Sequence, residues 1–303
     1  MAEPGKTRSI AIGLVQMQCA EDPAANVKKA VALTREAAKQ GAALVCLPEL
    51  FRSRYFCQTE EARFFDLAEP IPGPTSDAFV ALAKELGIAI IVSLFERRAA
   101  GVYHNSLVVV ERALGITGMY RKMHIPDDPR YYEKYYFTPG DLGFKSFAAA
   151  GARIGTLICW DQWYPEAARL TALAGAEILF YPTAIGWHPE EKATHGARQR
   201  EAWETAQRAH AIANGCFVVA VNRTGFEPDP ISKSGGGIEF WGSSFVAAPD
   251  GHVLYRAPES AEEVHVMELD LAAIERQRHG WPFLRDRRID AYADITRRYL
   301  GEQ

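Results

Sequence analysis

Cysteine is scarce in this chain of 303 residues: Cys19, Cys46, Cys57, Cys159 and Cys216 are odd in number, scattered, and never form a CxxC. That pattern argues against a disulfide framework and against a structural zinc site, and it fits a reducing, cytoplasmic setting. Apolar runs are strand-sized and too short to cross a bilayer, and the opening "MAEPGKTRSI" has no apolar h-region. Positive charge is not in excess either. Lys and Arg number 34 against 38 Asp and Glu, a formal net charge of -4, so no broad cationic field awaits a nucleic-acid backbone or a membrane. The expected partner is a small molecule. Fixed-period repeats and long low-complexity linkers are missing, and "PDPISKSGGG" (228–237), lacking the lysine-hydroxyl ending of a phosphate loop, reads as a mobile surface loop.

What is present is enough apolar sequence, 48% of the residues, for one large core. "SIAIGLVQM", "AALVCLP", "IAIIVSLF", "NSLVVVE", "IGTLIC", "AEILFYP", "CFVVAVN", "SSFVAAP" and "EVHVMELD" read as strands. Between them, "DPAANVKKAVALTREAAKQG" predicts a helix with Asp22 as N-cap, Pro23 first and a stop at Gly41; "TSDAFVALAKELG" and "ARQREAWETAQRAHAIANG" predict two more. Strands apolar on both faces need helices over the sheet. Because strands also follow one another directly, from Ile88 to Lys122 and from Phe240 to Asp270, a layered α/β sandwich is expected rather than a Rossmann or barrel alternation.

"RIGTLICWDQWYPEAARL" puts Cys159 where a strand gives way to a helix that opens on Pro165 and ends at Gly175. A thiol at such an elbow is held off the sheet end beside backbone N–H groups, as a nucleophile beside an oxyanion site would be; a buried core cysteine is the competing reading. A nucleophilic thiol needs a base and positive charge. "ALVCLPEL" supplies Glu49 just after a strand, and "GITGMYRKMHIPDDPRYYEKYYF" supplies Lys122 at a strand end and Glu133 in the loop beyond. Each is a surface charge if read alone. His124 offers a papain-like Cys and His pair, without the local signatures of those proteases. His188 and His195 lack metal-ligand spacing, so no metal is expected.

With "LPELF", "YRKMHIP" and "ICWDQWYPE", the chain resembles the nitrilase superfamily of carbon-nitrogen hydrolases, and the likeness runs through nearly its whole length. The resemblance implies a four-layer α-β-β-α sandwich, one domain over 1–303, no cofactor, and a homodimer or larger homo-oligomer. It also implies Cys159 as nucleophile, Glu49 as general base, Lys122 with the backbone N–H of Trp160 as oxyanion donors, and Glu133 as a second carboxylate orienting the lysine. The expected reaction is hydrolysis of a carbamoyl or amide C–N bond, with transfer to an amine as the alternative. "YFCQ", "EKYYFTPGDLGFK", "GAEILFYPTAIG" and "WPFLRDRRIDAY" resemble the branch acting on N-carbamoylputrescine.

From that likeness Tyr55, Tyr131, Trp160, Ala184, Trp187 and His188 are expected to touch substrate, with Trp163 left to core packing. Two departures stand out. Where the pattern has Ser-Glu-Pro after "TAIG", this chain has "WHP", which puts His188 in the place of a carboxylate suited to a substrate amine; and Arg130 adds positive charge near the mouth. Either Asp127, Asp128, Glu190 or Glu191 replaces that carboxylate, or the substrate is a less cationic ureido or amide compound. The arginine-dense "RQRHGWPFLRDRRIDAY", within a carboxy-terminal segment 271–303, is expected to pack at a subunit contact.

Overall fold

A computed structural model describes residues 8–232 and 236–301. In chain order its elements are β1 (Ser9–Gln16), α1 (Pro23–Lys39), β2 (Leu44–Cys46), α2 (Pro74–Leu86), β3 (Ala89–Ala99), β4 (Val102–Glu111), β5 (Gly115–Arg121) and α3 (Glu133–Tyr136). There follow β6 (Ser146–Ala149), β7 (Ala152–Thr156), α4 (Pro165–Leu173), β8 (Ile178–Thr183), β9 (Gly186–Trp187), α5 (Pro189–Asn214) and β10 (Phe217–Asn222). The last are β11 (Thr224–Pro228), β12 (Gly237–Trp241), β13 (Phe245–Ala247), β14 (Val253–Arg256), β15 (Glu263–Asp270) and α6 (Ala272–Gly280).

Two 6-stranded sheets carry the fold, in the orders β15-β1-β2-β3-β4-β5 and β14-β13-β10-β8-β7-β6; a 3-stranded sheet, β11-β12-β9, lies apart from them. In the first sheet β1, β2 and β3 run parallel, and in the second β7, β8 and β10 do. Antiparallel strands complete each.

Strand alternation decides which layer each side chain enters. On β3, Ala89 and Ile91 join the core shared with Ile154, Ile178, Phe180 and Val218 of the second sheet. Their neighbours Ile90 and Val92 face the other way, against Ala30 and Ala37 of α1 and Phe79 and Leu82 of α2. Ala167, Ala168, Trp203 and Ala211 bring α4 and α5 onto the second sheet. The result is the expected α-β-β-α sandwich.

The helix boundaries follow from capping. Asp22 accepts from the N–H groups of Ala24 and Ala25, Pro23 opens α1, and α2 ends on Gly87 at φ 70. α5 starts earlier than its periodicity predicts, at Pro189, so His188 is its N-cap residue. Residues 228–237 are not a free loop at their ends: Pro228 pairs with Gly237 and closes a hairpin between β11 and β12, while 233–235 lie outside the described residues.

Candidate active site

Cys159 follows β7 by way of a short turn, Cys159–Trp163, and adopts φ 40, a left-handed conformation seldom taken by a residue with a side chain. Pro165 then starts α4. The strand-to-helix elbow expected from the sequence is therefore present, and the thiol, 4% exposed, meets a cavity of about 410 Å³.

Glu49 comes from the carboxyl end of β2, Lys122 from the residue after β5, and Glu133 from the first position of α3, a short helix where the sequence predicts loop. All are fully buried. Lys122 Nζ donates to Glu49 Oε1 at 2.8 Å and to Glu133 Oε2 at 2.7 Å. An ammonium has three protons, so one remains for a further acceptor. Asn105 Nδ2 also donates to Glu49 Oε1, at 2.7 Å, whereas Glu49 Oε2 has no hydrogen-bond partner among the described residues. The lone pairs of Oε2 are thus free to take a proton.

Electrostatics ties these groups to the thiol. Burial and then Glu49 push Cys159 well above its ordinary value, against the pull of Lys122, so the resting sulfur carries its proton. Burial opposes the charge on Lys122, yet Glu133 and Glu49 outweigh it and hold the ammonium in place. Burial pushes Glu133 up to about 7 despite Lys122. One cation between two carboxylates leaves a dry site one negative charge over, which raises the proton affinity of Glu133.

The sequence gives little notice of the residues that brace these groups. Arg223, at the end of β10, is fully buried and donates through Nη2 to the carbonyl oxygens of Glu49 and Leu50, at 2.7 and 3.0 Å. Ser93 Oγ accepts from Leu50 N. Asp161 accepts from Ile158 N, just before Cys159, and from His124 N, two residues past Lys122. A polar residue inside or just past an apolar run, as in "YHNSLVVV" and "VVAVNR", was the available signal.

The expected substrate contacts divide. Tyr131, Trp160, Ala184 and His188 line the cavity with Cys159. Tyr131 Oη bridges the N–H and C=O of Gly186 at 3.1 and 3.2 Å, and Cys159 Sγ lies 3.9 Å from the carbonyl oxygen of Ala184. Tyr55 stands one layer back, donating its hydroxyl to Glu133 Oε1 at 2.6 Å. Trp187 is packed away from the opening: its Nε1 donates to Gly196 O at 2.9 Å and its ring meets Trp241 at 5.3 Å. Trp163 packs against the core as expected and also lines the cavity; among the described residues its Nε1 and that of Trp241 are buried without hydrogen-bond partners.

Around the mouth, Arg130 Nη1 reaches Glu190 Oε1 at 3.0 Å and Gly237 O at 3.1 Å, which ties its charge away from the interior. Asp128 and Glu191 line the cavity; Asp127 and Glu190 are not among its lining residues. His124 is not a partner of the thiol, since its Nδ1 donates to Asp161 Oδ1 at 2.7 Å and its ring stacks on Tyr164 at 3.7 Å. A proton acceptor, a buried ammonium and a thiol beside a small cavity suit attack on a carbonyl carbon.

The family model for carbon-nitrogen hydrolases matches residues 11–279. An N-carbamoylputrescine amidase of Solanum lycopersicum is 45% identical over 293 residues, 96% of either chain. A citrullinase of Francisella tularensis is 38% identical over 96% of this chain and 99% of its own. The crystal structure of a carbon-nitrogen hydrolase from Helicobacter pylori G27 superposes with TM-score 0.93 at 48% identity, covering 97% of this chain and all of the other.

Proposed function

Since the chain belongs to the carbon-nitrogen hydrolase family and hydrolyses such bonds in carbamoyl or amide groups, we propose that its substrate is N-carbamoylputrescine, released as putrescine, ammonia and carbon dioxide. The identity of 45% to an amidase of that name, sustained over 96% of both chains, is the observation that carries the reading.

In this scheme Glu49 Oε2 takes the thiol proton as sulfur attacks the ureido carbon. That carbonyl is a poor electrophile, because both nitrogens donate into it. The oxygen of the tetrahedral intermediate gains charge, met by the third proton of Lys122 and the backbone N–H of Trp160. Collapse returns the proton to one nitrogen, which leaves as ammonia or the free amine, and a carbamoyl thioester remains on Cys159. Water, deprotonated by Glu49, then cleaves the thioester; the carbamic acid released breaks down to carbon dioxide and the second amine. Glu133 holds Lys122 in line, itself fixed by Tyr55.

The far ammonium of the substrate meets Asp128 and Glu191, with the faces of Tyr131 and Trp160 beside it. These carboxylates take over from the position that His188 occupies. The test is relative turnover of N-carbamoylputrescine, N-carbamoyl-β-alanine, citrulline, uncharged alkylureas, aliphatic amides and nitriles. Highest kcat/KM for the cationic ureide is expected, and preference for an uncharged or anionic compound overturns the assignment. A second copy of the chain is the proposed cover for the carboxy-terminal segment, where Trp281 is 58% exposed, Ile289 74% and Tyr299 78%.

A further inference from the structure

We propose that Asp161 is a positioning residue that sets the separation between the sulfur of Cys159 and the ammonium of Lys122. These groups approach from different sheets, the thiol after β7 and the lysine after β5. Something must fix the gap across the seam. Hydrophobic packing between sheets is non-directional, whereas a carboxylate with fully used acceptors fixes direction as well as distance.

Asp161 lies two residues past Cys159 and is wholly buried. Its Oδ2 accepts from Ile158 N, the residue before the nucleophile, at 3.0 Å, and from Tyr120 Oη at 2.7 Å. Its Oδ1 accepts from His124 N at 3.0 Å and from His124 Nδ1 at 2.7 Å. Tyr120 and His124 flank Lys122 on either side. One side chain therefore grips the elbow and brackets the lysine.

The elbow needs such a grip. Cys159 sits at φ 40, a conformation that persists when its surroundings over-determine it. The bond from Ile158 N to Asp161, together with that from Asp161 N to the carbonyl oxygen of Ile158 at 3.0 Å, closes the turn reciprocally. His124 is itself held flat against Tyr164, the residue that leads into α4, with ring planes 5° apart. The clamp thus extends from the strand carrying the lysine to the helix behind the nucleophile.

The proposal rests on the roles given above to Cys159 and Lys122, and Cys159→Ala separates the two ideas: activity retained there refutes those roles. For the clamp, Asp161→Asn keeps shape but places an amide N–H₂ against donors. Its kcat is expected to fall about 100-fold with KM changed less than about threefold, because small misplacement of reacting groups is costly at the chemical step. Alkylation of Cys159 by chloroacetamide, measured on folded protein, should slow in parallel. Tyr120→Phe removes one bond and should lower kcat roughly threefold to tenfold. In the double variant the losses should combine to less than their product, as for members of one network. A folded Asp161→Asn enzyme with wild-type kcat and alkylation rate, losing only thermal stability, overturns the clamp. If Asp161→Asn does not fold, Tyr120→Phe with unchanged kcat and alkylation rate overturns it equally.

Discussion

Glu49 offers Lys122 one oxygen and keeps the other: Nζ lies 2.8 Å from Oε1, while Oε2 has no hydrogen-bond partner among the described residues. In the proposed scheme the first oxygen orients the carboxylate and the second acts as the base. Glu49→Gln preserves the volume and an acceptor for Lys122 but loses proton affinity. The variant should fold, and its kcat for ammonia release should drop by about 10³ or more. Steady-state kinetics with circular dichroism checks this; near-wild-type turnover removes Glu49 from the chemistry.

Lys122 is the cation between two buried carboxylates, and Lys122→Met leaves both uncompensated. Stability should fall by about 3–5 kcal/mol, and turnover by about 10³ or more. Adding Glu133→Gln removes one of the stranded charges. Denaturant titration should then show part of the stability restored, with activity still absent.

Glu133, pushed up to about 7 from an ordinary 4.5, makes the fold pH-dependent. A carboxyl with a raised folded pKa stabilises the fold while protonated; the contribution is complete below the unfolded value and is lost as pH rises through about 7. Between about pH 5 and about pH 8 the wild type should therefore lose stability relative to Glu133→Gln, by at most about 3 kcal/mol. Urea unfolding of both proteins across that range measures the gap. A gap that stays constant, or widens in favour of the wild type at high pH, contradicts the assignment.

Asp128 and Glu191 line the cavity and take no part in the proposed bond-making steps, so their removal should act on binding. Asp128→Asn with Glu191→Gln is expected to raise KM for N-carbamoylputrescine about tenfold and to change kcat little. KM for an uncharged alkylurea should be unaffected, and an equal rise for both compounds would mean that the carboxylates do not read charge.

The carboxy-terminal segment presents Trp281, Ile289, Ile295 and Tyr299 to solvent, apolar side chains that a second copy of the chain would cover. Light scattering should give a dimer or larger assembly. Deleting 281–303 should shift it toward monomer, and a monomeric full-length protein would refute the contact.

Much of this architecture was legible because core strands declare themselves. Runs such as "AIIVSLF" and "ILFYP" are apolar at consecutive positions, which a sheet covered on both faces requires, and Glu49, Lys122 and Cys159 each sit where such a run stops. That Trp163 reaches the cavity as well as the core, and that Trp187 stays out of the cavity lining, was not legible. Both follow apolar runs, and which indole meets the cavity depends on a tight turn in one case and on a strand paired through two residues, Gly186 and Trp187, in the other. Asn105 and Arg223 were missed for a related reason: each bonds Glu49 across a sequence separation that no local pattern encodes. The β11–β12 hairpin escaped notice because its ends are joined by pairing of Pro228 with Gly237 in a glycine-rich stretch.

Cys159 and Lys122 are carried by opposite halves of the sandwich, the thiol after β7 and the lysine after β5. With the roles proposed for these two groups, turnover becomes a gauge of whether those halves remain mated. A chain that keeps its helices and strands but lets the interior swell, as proteins do in mild acid or dilute denaturant, would look nearly native by far-ultraviolet circular dichroism and yet be catalytically silent.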